Sequence, residues 1–121
     1  MASFKMDTEE RSGELVVRLS GDLDLAALEA VDTALAQAQA GHRSVQVDLR
    51  GLEFIDSTGI RLLLMAHERA ENKGDQFCVI RGSERIQRLL ALTDLDQKLR
   101  FCEDETWLSD VDFPARSSRR S

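Results

Sequence analysis

The stretch Leu52–Leu63, "LEFIDSTGIRLL", decides how this chain is read. Its first part is apolar and strand-like, and its last part carries apolar residues at helical spacing. Four small or polar residues, Asp56-Ser57-Thr58-Gly59, separate the two. Asp, Ser and Thr are residues that cap a helix N-terminus. A strand running into a capped helix is one half of a βαβ unit, so the stretch points to an α/β domain with a parallel sheet.

The pattern repeats on either side. Upstream, "ELVVRLS" (residues 14–20) reads as a strand, and "FKMDTEE" (4–10) before it reads as an edge strand, with Arg11-Ser12-Gly13 as the turn. "GDLD" (21–24) is expected to end the second strand. Asp24 is the expected N-cap of an Ala- and Leu-rich helix, with Leu25, Leu28, Val31 and Leu35 on its buried face and Gly41 at its end. "SVQVDL" (44–49) alternates as a strand, and "RGLEFI" (50–55) is expected to continue it partly as a loop. The helix after Asp56 runs to about Asn72, with Lys73-Gly74 closing it and Ile60, Leu63, Leu64 and His67 on one face. "QFCVIRG" (76–82) has the near-continuous apolar run of a central strand covered on both faces. "SERIQRLLALTDL" (83–95) is a helix capped by Ser83, "KLRFC" (98–102) a last strand, and "EDETWLSDV" (103–111) a short terminal helix. The expected fold is α/β: a mostly parallel sheet of four to five strands with about four helices.

A chain of 121 residues fits one domain with a single core. Residues 1–113 are assigned to it and 114–121 to a disordered basic tail. Hydrophobic residues make up 42% and aromatic ones 5%, so the core must be aliphatic. A net charge of −6 argues against direct nucleic-acid binding and against adsorption to anionic membranes. Cys78 and Cys102 form no C-x-x-C pair, and neither metal site nor cofactor motif is visible. The N-terminus lacks a secretory apolar region and no run is long enough to span a bilayer, so a reduced, cytoplasmic location is expected. Enzyme readings lack parts: there is no G-x-S-x-G elbow and no phosphate-binding loop, and His42 and His67 offer no obvious base for Ser57.

Sites in such folds form beside the carboxyl ends of parallel strands. "GDLD" and "FIDSTG" both lie there, and would bring Asp22 and Asp24 beside Asp56, Ser57 and Thr58 if their strands are neighbours. A phosphate on Ser57 would sit at a helix N-terminus, yet add about −1.5 to −2 charges beside three carboxylates. Beyond the site, Arg61, Leu62, Met65 and Arg69 are expected to point away from the sheet as an apolar docking surface rimmed by arginines, unless the apolar face of the helix is wide and Leu62 and Met65 are simply core.

Together, "RLSGDLD" (18–24), "VQVDLRGLEFIDSTG" (45–59) and the helix that follows resemble the anti-sigma factor antagonists, single-domain members of the STAS fold. The resemblance covers roughly residues 4 to 110. It implies phosphorylation at Ser57, with Asp22, Asp24, Asp56, Thr58 and Gly59 lining the site. It further implies an anti-sigma factor with serine kinase activity as partner, bound only by the unphosphorylated form, so that a sigma factor is released in a stress response. A PP2C-type phosphatase would reverse the modification. The chain departs from the family in one place: many members continue Leu-Gly after the signature, whereas here Ile60-Arg61 follows Gly59. A monomer is expected. The rival reading of the same fold is a scaffold or accessory subunit of a stress-signalling complex or lipid transporter; a third is a small-ligand sensor.

Overall fold

The computed structural model describes residues 3–105 and Trp107. Strand β1 (Lys5–Arg11) pairs antiparallel with β2 (Glu14–Leu23). Ser12 and Gly13 between them have φ of 51° and 82°, the left-handed pair that a tight hairpin turn needs. Helix α1 (Leu25–Gly41), β3 (Ser44–Ile55), α2 (Ser57–Lys73), β4 (Gln76–Ile80), α3 (Glu84–Ala91), a 3-10 turn (Leu95–Lys98) and β5 (Phe101–Cys102) follow. The sheet order is β1-β2-β3-β4-β5, with every pair after the first parallel. The α/β fold and the mostly parallel sheet are as the sequence predicts. The described residues contain three α-helices rather than about four. Most of the expected terminal helix lies outside the described residues, and Glu103–Glu105 at its start are not helical. The expected tail at 114–121 also lies outside them.

Sequential strand order has a consequence for the layers. Each right-handed crossover steps in the same direction, so all three helices pack on one face. Val17 and Leu19, Val45, Val47 and Leu49, and Phe77 and Val79 turn to that face and form one core with Val31, Leu35, Leu63, Ile86 and Leu90 of the helices. β4 is covered on both faces, as expected, with helices over Val79 on one side and Trp107 over Ile80 on the other. On the other face Val16 and Ile80 pack under Trp107, which is only 4% exposed. The Arg11 guanidinium lies 4.5 Å from the Trp107 ring centroid. Ion pairs also lie on this face: Arg18 Nη2 donates to Glu9 Oε1 and Glu105 Oε1, each at 2.9 Å. Arg50 binds the buried Asp48 and reaches Asp104 and Glu105. These bonds hold the Arg50 guanidinium above its ordinary pKa and so fully charged.

Two strands run further than expected. Both β2 and β3 pass through register shifts near Arg18–Asp22, yet stay paired as far as Leu23 and Ile55. Thus "GDLD" does not end β2 at Ser20, and "RGLEFI" is strand rather than partial loop. Gly51 allows this: a Cβ there would lie 2.9 Å from Ser20 Cβ and 3.3 Å from the Leu19 carbonyl oxygen. Only a residue without a side chain lets the strands approach so closely.

Helix ends follow the capping signals with one exception. Ser83 caps α3 through the Ile86 N–H. Gly74 closes α2 with φ 73°, and its N–H donates to carbonyls of the last turn. Gly41 is the last residue of α1, but the cap itself is His42 in an extended conformation.

Candidate phosphorylation site at two helix starts

The parallel pairing of β2 and β3 places Asp22 opposite Phe54 and Leu23 opposite Ile55. The next residues, Asp24 and Asp56, therefore leave the sheet side by side. Each becomes the N-cap of the helix that follows, with nearly the same backbone: φ −96°, ψ −179° for Asp24 and φ −106°, ψ −178° for Asp56. The Ala27 N–H donates to Asp24 Oδ1 at 3.1 Å, and the Gly59 N–H to Asp56 Oδ1 at 3.0 Å. Two helices thus begin next to one another, each with an aspartate across its first turn. The juxtaposition is expected from the sequence only if the two strands are neighbours, which they are.

Ser57 and Thr58 form the first turn of α2 and are both exposed. The first-turn N–H groups have no intrahelical acceptor, which makes this end favourable for an anion. Gly59 is buried beneath them. A Cβ at this position would lie 2.9 Å from Ile55 Cγ1 and 3.1 Å from Leu23 Cδ2. Its part is thus to seat the helix start against the ends of β2 and β3. Asp22 is half-buried, as are Asp24 and Asp56.

The four expected docking residues separate. Arg61 is exposed and Met65 is 48% exposed. Leu62, expected to be partly exposed, is 8% exposed and belongs to the core. The apolar stripe of α2 is wider than one row, because α1 packs against its flank as well as the sheet beneath. Arg69 lies in the seam between the two helices, where its Nε donates to Gln39 Oε1 at 2.9 Å. Gln39 is itself buried and donates to the Ala66 carbonyl at 2.7 Å. Arg69 is therefore committed to joining the helices.

Other residues enter the picture from the fold alone. A shallow cleft of about 290 Å³ runs between α1 and α2 beside the site, lined in part by Thr58, Arg61 and Met65 from α2 and by Glu29 and Asp32 from α1. Phe54, opposite Asp22, is 36% exposed. Leu25, expected on the buried face of α1, is 78% exposed. As the first helical residue it lies ahead of the stripe that meets the sheet, which begins at Ala27 and Leu28. The break in strict alternation at Glu53-Phe54 was the one sequence signal for Phe54. Among the described residues no cluster of His, Cys, Asp and Glu could hold a metal ion, and no helix is long and apolar enough to cross a membrane.

Fold and site together define a small α/β domain with exposed hydroxyl-bearing residues on a helix start. Residues 6–101 match a family model described as "Mlab, STAS domain". The chain belongs to the STAS domain family. It is similar to an anti-sigma F factor antagonist of Paenibacillus polymyxa, 30% identical over 97 residues, covering 77% of this chain and 81% of that protein. An anti-sigma-B factor antagonist of Staphylococcus aureus is 33% identical over 95 residues, covering 77% and 87%. Among solved structures, an anti-sigma factor antagonist from Mycobacterium paratuberculosis superposes with a TM-score of 0.75 at 26% identity, covering 89% of this chain and 90% of that one. The Bacillus protein SpoIIAA in its phosphorylated form shares the fold, with a TM-score of 0.64 at 20% identity and coverage of 84% and 93%.

Proposed function

We propose that this chain is an anti-sigma factor antagonist whose binding is switched at Ser57. The unphosphorylated protein binds an anti-sigma factor that is also a serine kinase, and so frees a sigma factor. Phosphorylation of Ser57 ends that binding, and a PP2C-type phosphatase restores it. The observation that carries the reading is the exposed Ser57 hydroxyl on the first turn of α2, next to the paired caps Asp24 and Asp56. It is reachable by a kinase, and its helix start tolerates an anion. Yet the neighbourhood is already negative, with Asp22, Asp24 and Asp56 close by. Adding about −1.5 to −2 charges there changes the field that a partner meets much more than it changes the fold. Arg61, Met65 and Phe54 supply the adjoining contact surface, with Leu62 as support from beneath.

The site needs no catalytic group of its own in this scheme: the partner supplies ATP and the phosphatase supplies hydrolysis. The test is capture from the native cells with wild type, Ser57→Ala and Ser57→Asp as baits. A histidine-kinase-like ATPase should come down with the first two and be lost with Ser57→Asp. Recovery of the same transporter or scaffold proteins by all three baits would refute the switch and favour the accessory-subunit reading.

A further inference from the structure

Among the described residues, the proposed switch at Ser57 has one cation within reach. Between Arg18 and Arg43 the sequence contains no Lys or Arg, and between Arg50 and Arg69 it contains Arg61 alone. The arginines that follow β4 are remote for a structural reason. Strand β4 ends at Ile80, opposite Asp48, whereas β3 continues to Ile55. At ~3.3 Å per residue this extension carries Ser57 roughly 20 Å beyond Arg81 and the start of α3.

Arg61 is one helical turn past Ser57, at the i,i+4 spacing that puts two side chains on neighbouring positions of one face, roughly 6 Å apart at Cβ. Both are exposed. Glu29 and Asp32 of α1 share the cleft with Arg61, but no hydrogen bond or ion pair joins its guanidinium to any described residue. It is an uncommitted cation in an acidic setting. The order along the helix, anion first and cation four residues later, is the favourable one.

We propose that Arg61 is the internal receptor of the Ser57 phosphate. This rests on the reading of Ser57 as the phosphoacceptor and adds how the phosphorylated state is held. A phosphate presents three acceptor oxygens, and a guanidinium engages two of them with parallel N–H bonds. Pairing with Arg61 balances part of the charge that Asp22, Asp24, Asp56, Glu29 and Asp32 would otherwise oppose. It also withdraws Arg61 from the docking surface. Phosphorylation therefore changes the contact face twice, by adding an anion and by occupying the cation beside it. The residue at which this chain departs from the family pattern becomes part of its switch.

The experiment uses the full chain with phosphoserine installed genetically at position 57. The second phosphate ionisation is followed by 31P NMR against pH in the Arg61 protein, in Arg61→Gln, in Arg61→Lys and in the remote Arg85→Gln. Pairing favours the dianion, so the phosphate pKa in the Arg61 protein should lie about half a unit below that of Arg61→Gln. Arg61→Lys should recover most of the difference, and Arg85→Gln should match the parent. Equal values for the Arg61 protein and Arg61→Gln would overturn the pairing. The titration needs no kinase, so that result leaves the switch untouched, whereas the bait experiment can refute the switch with the pairing intact.

Discussion

Replacing Gly59 by Ala sets local preference against packing at the centre of the site. By helix propensity alone the change stabilises α2, by up to about 1 kcal/mol in a helix interior and less in a first turn. The tertiary structure opposes it. The added Cβ would stand 2.9 Å from Ile55 Cγ1, a branch atom of a side chain that is buried, and 3.1 Å from Leu23 Cδ2. Neither contact can be relieved by rotating a loose chain end into solvent. Overpacking of this kind costs about 1–3 kcal/mol. Subtracting the propensity gain leaves a net loss of about 1–2 kcal/mol. For a domain of this size that lowers Tm by roughly 3–8 °C. Urea titration followed by circular dichroism measures it, with Gly41→Ala as the counterpart. A Cβ at Gly41 meets nothing within 4 Å, so that variant should be neutral or slightly stabilised. A Gly59→Ala protein as stable as the parent would refute the account of Gly59 as the seat of α2. The same shift displaces Ser57, so capture of the proposed kinase partner should weaken with Gly59→Ala and not with Gly41→Ala.

The ion pairs on the face opposite the three described helices make stability depend on acid. Hydrogen bonds from Arg18 and then Arg11 hold the Glu9 carboxyl below its ordinary value of 4.5, and the Glu105 backbone N–H is the first cause that lowers Asp104 from 3.8. A lowered folded pKa contributes stability that is present above the ordinary value and is lost as pH falls through the folded one. Urea midpoints read from Trp107 fluorescence should therefore decline below about pH 4.5, modestly because both groups are exposed, and Arg18→Gln should flatten that slope; an unchanged slope would refute the Arg18–Glu9 link. On α1, Leu25→Ala should change stability by less than about 0.5 kcal/mol, whereas Leu35→Ala should cost about 2–5, a contrast that denaturant titration resolves and that equal losses would contradict.

Much of this molecule is legible in the order of its residues. Alternation in "SVQVDL" marks β3, and Asp24, Asp56, Ser83 and Gly74 mark helix ends, because capping is a contest between a side chain and backbone groups within four residues. The hydroxyl-bearing turn is legible for the same reason. Leu25 and Leu62 show the limit of periodicity: it sets the phase of an apolar stripe, but not where the stripe starts or how wide it is. Those depend on which neighbour packs alongside, and here α1 flanks α2 and covers Leu62 while Leu25 lies ahead of the contact.

Non-local pairing decided the rest. The seven residues after Asp48 remain strand because β2 stays beside them, and Gly51 permits it through a contact with Ser20, thirty-one positions away. That extension lifts Ser57 clear of Arg81 and the start of α3 and leaves Arg61 as the cation beside it among the described residues. Sequential strand order put the three described helices on one face, while Trp107 and a set of ion pairs lie on the other. By itself the sequence determined most of the elements, their caps and the hydroxyl proposed as the phosphoacceptor, since each is settled within a turn or two of chain. Which carboxylates stand together, which leucine is covered and which described arginine lies beside Ser57 were decided only when strands distant in sequence paired, because burial and charge depend on neighbours in space.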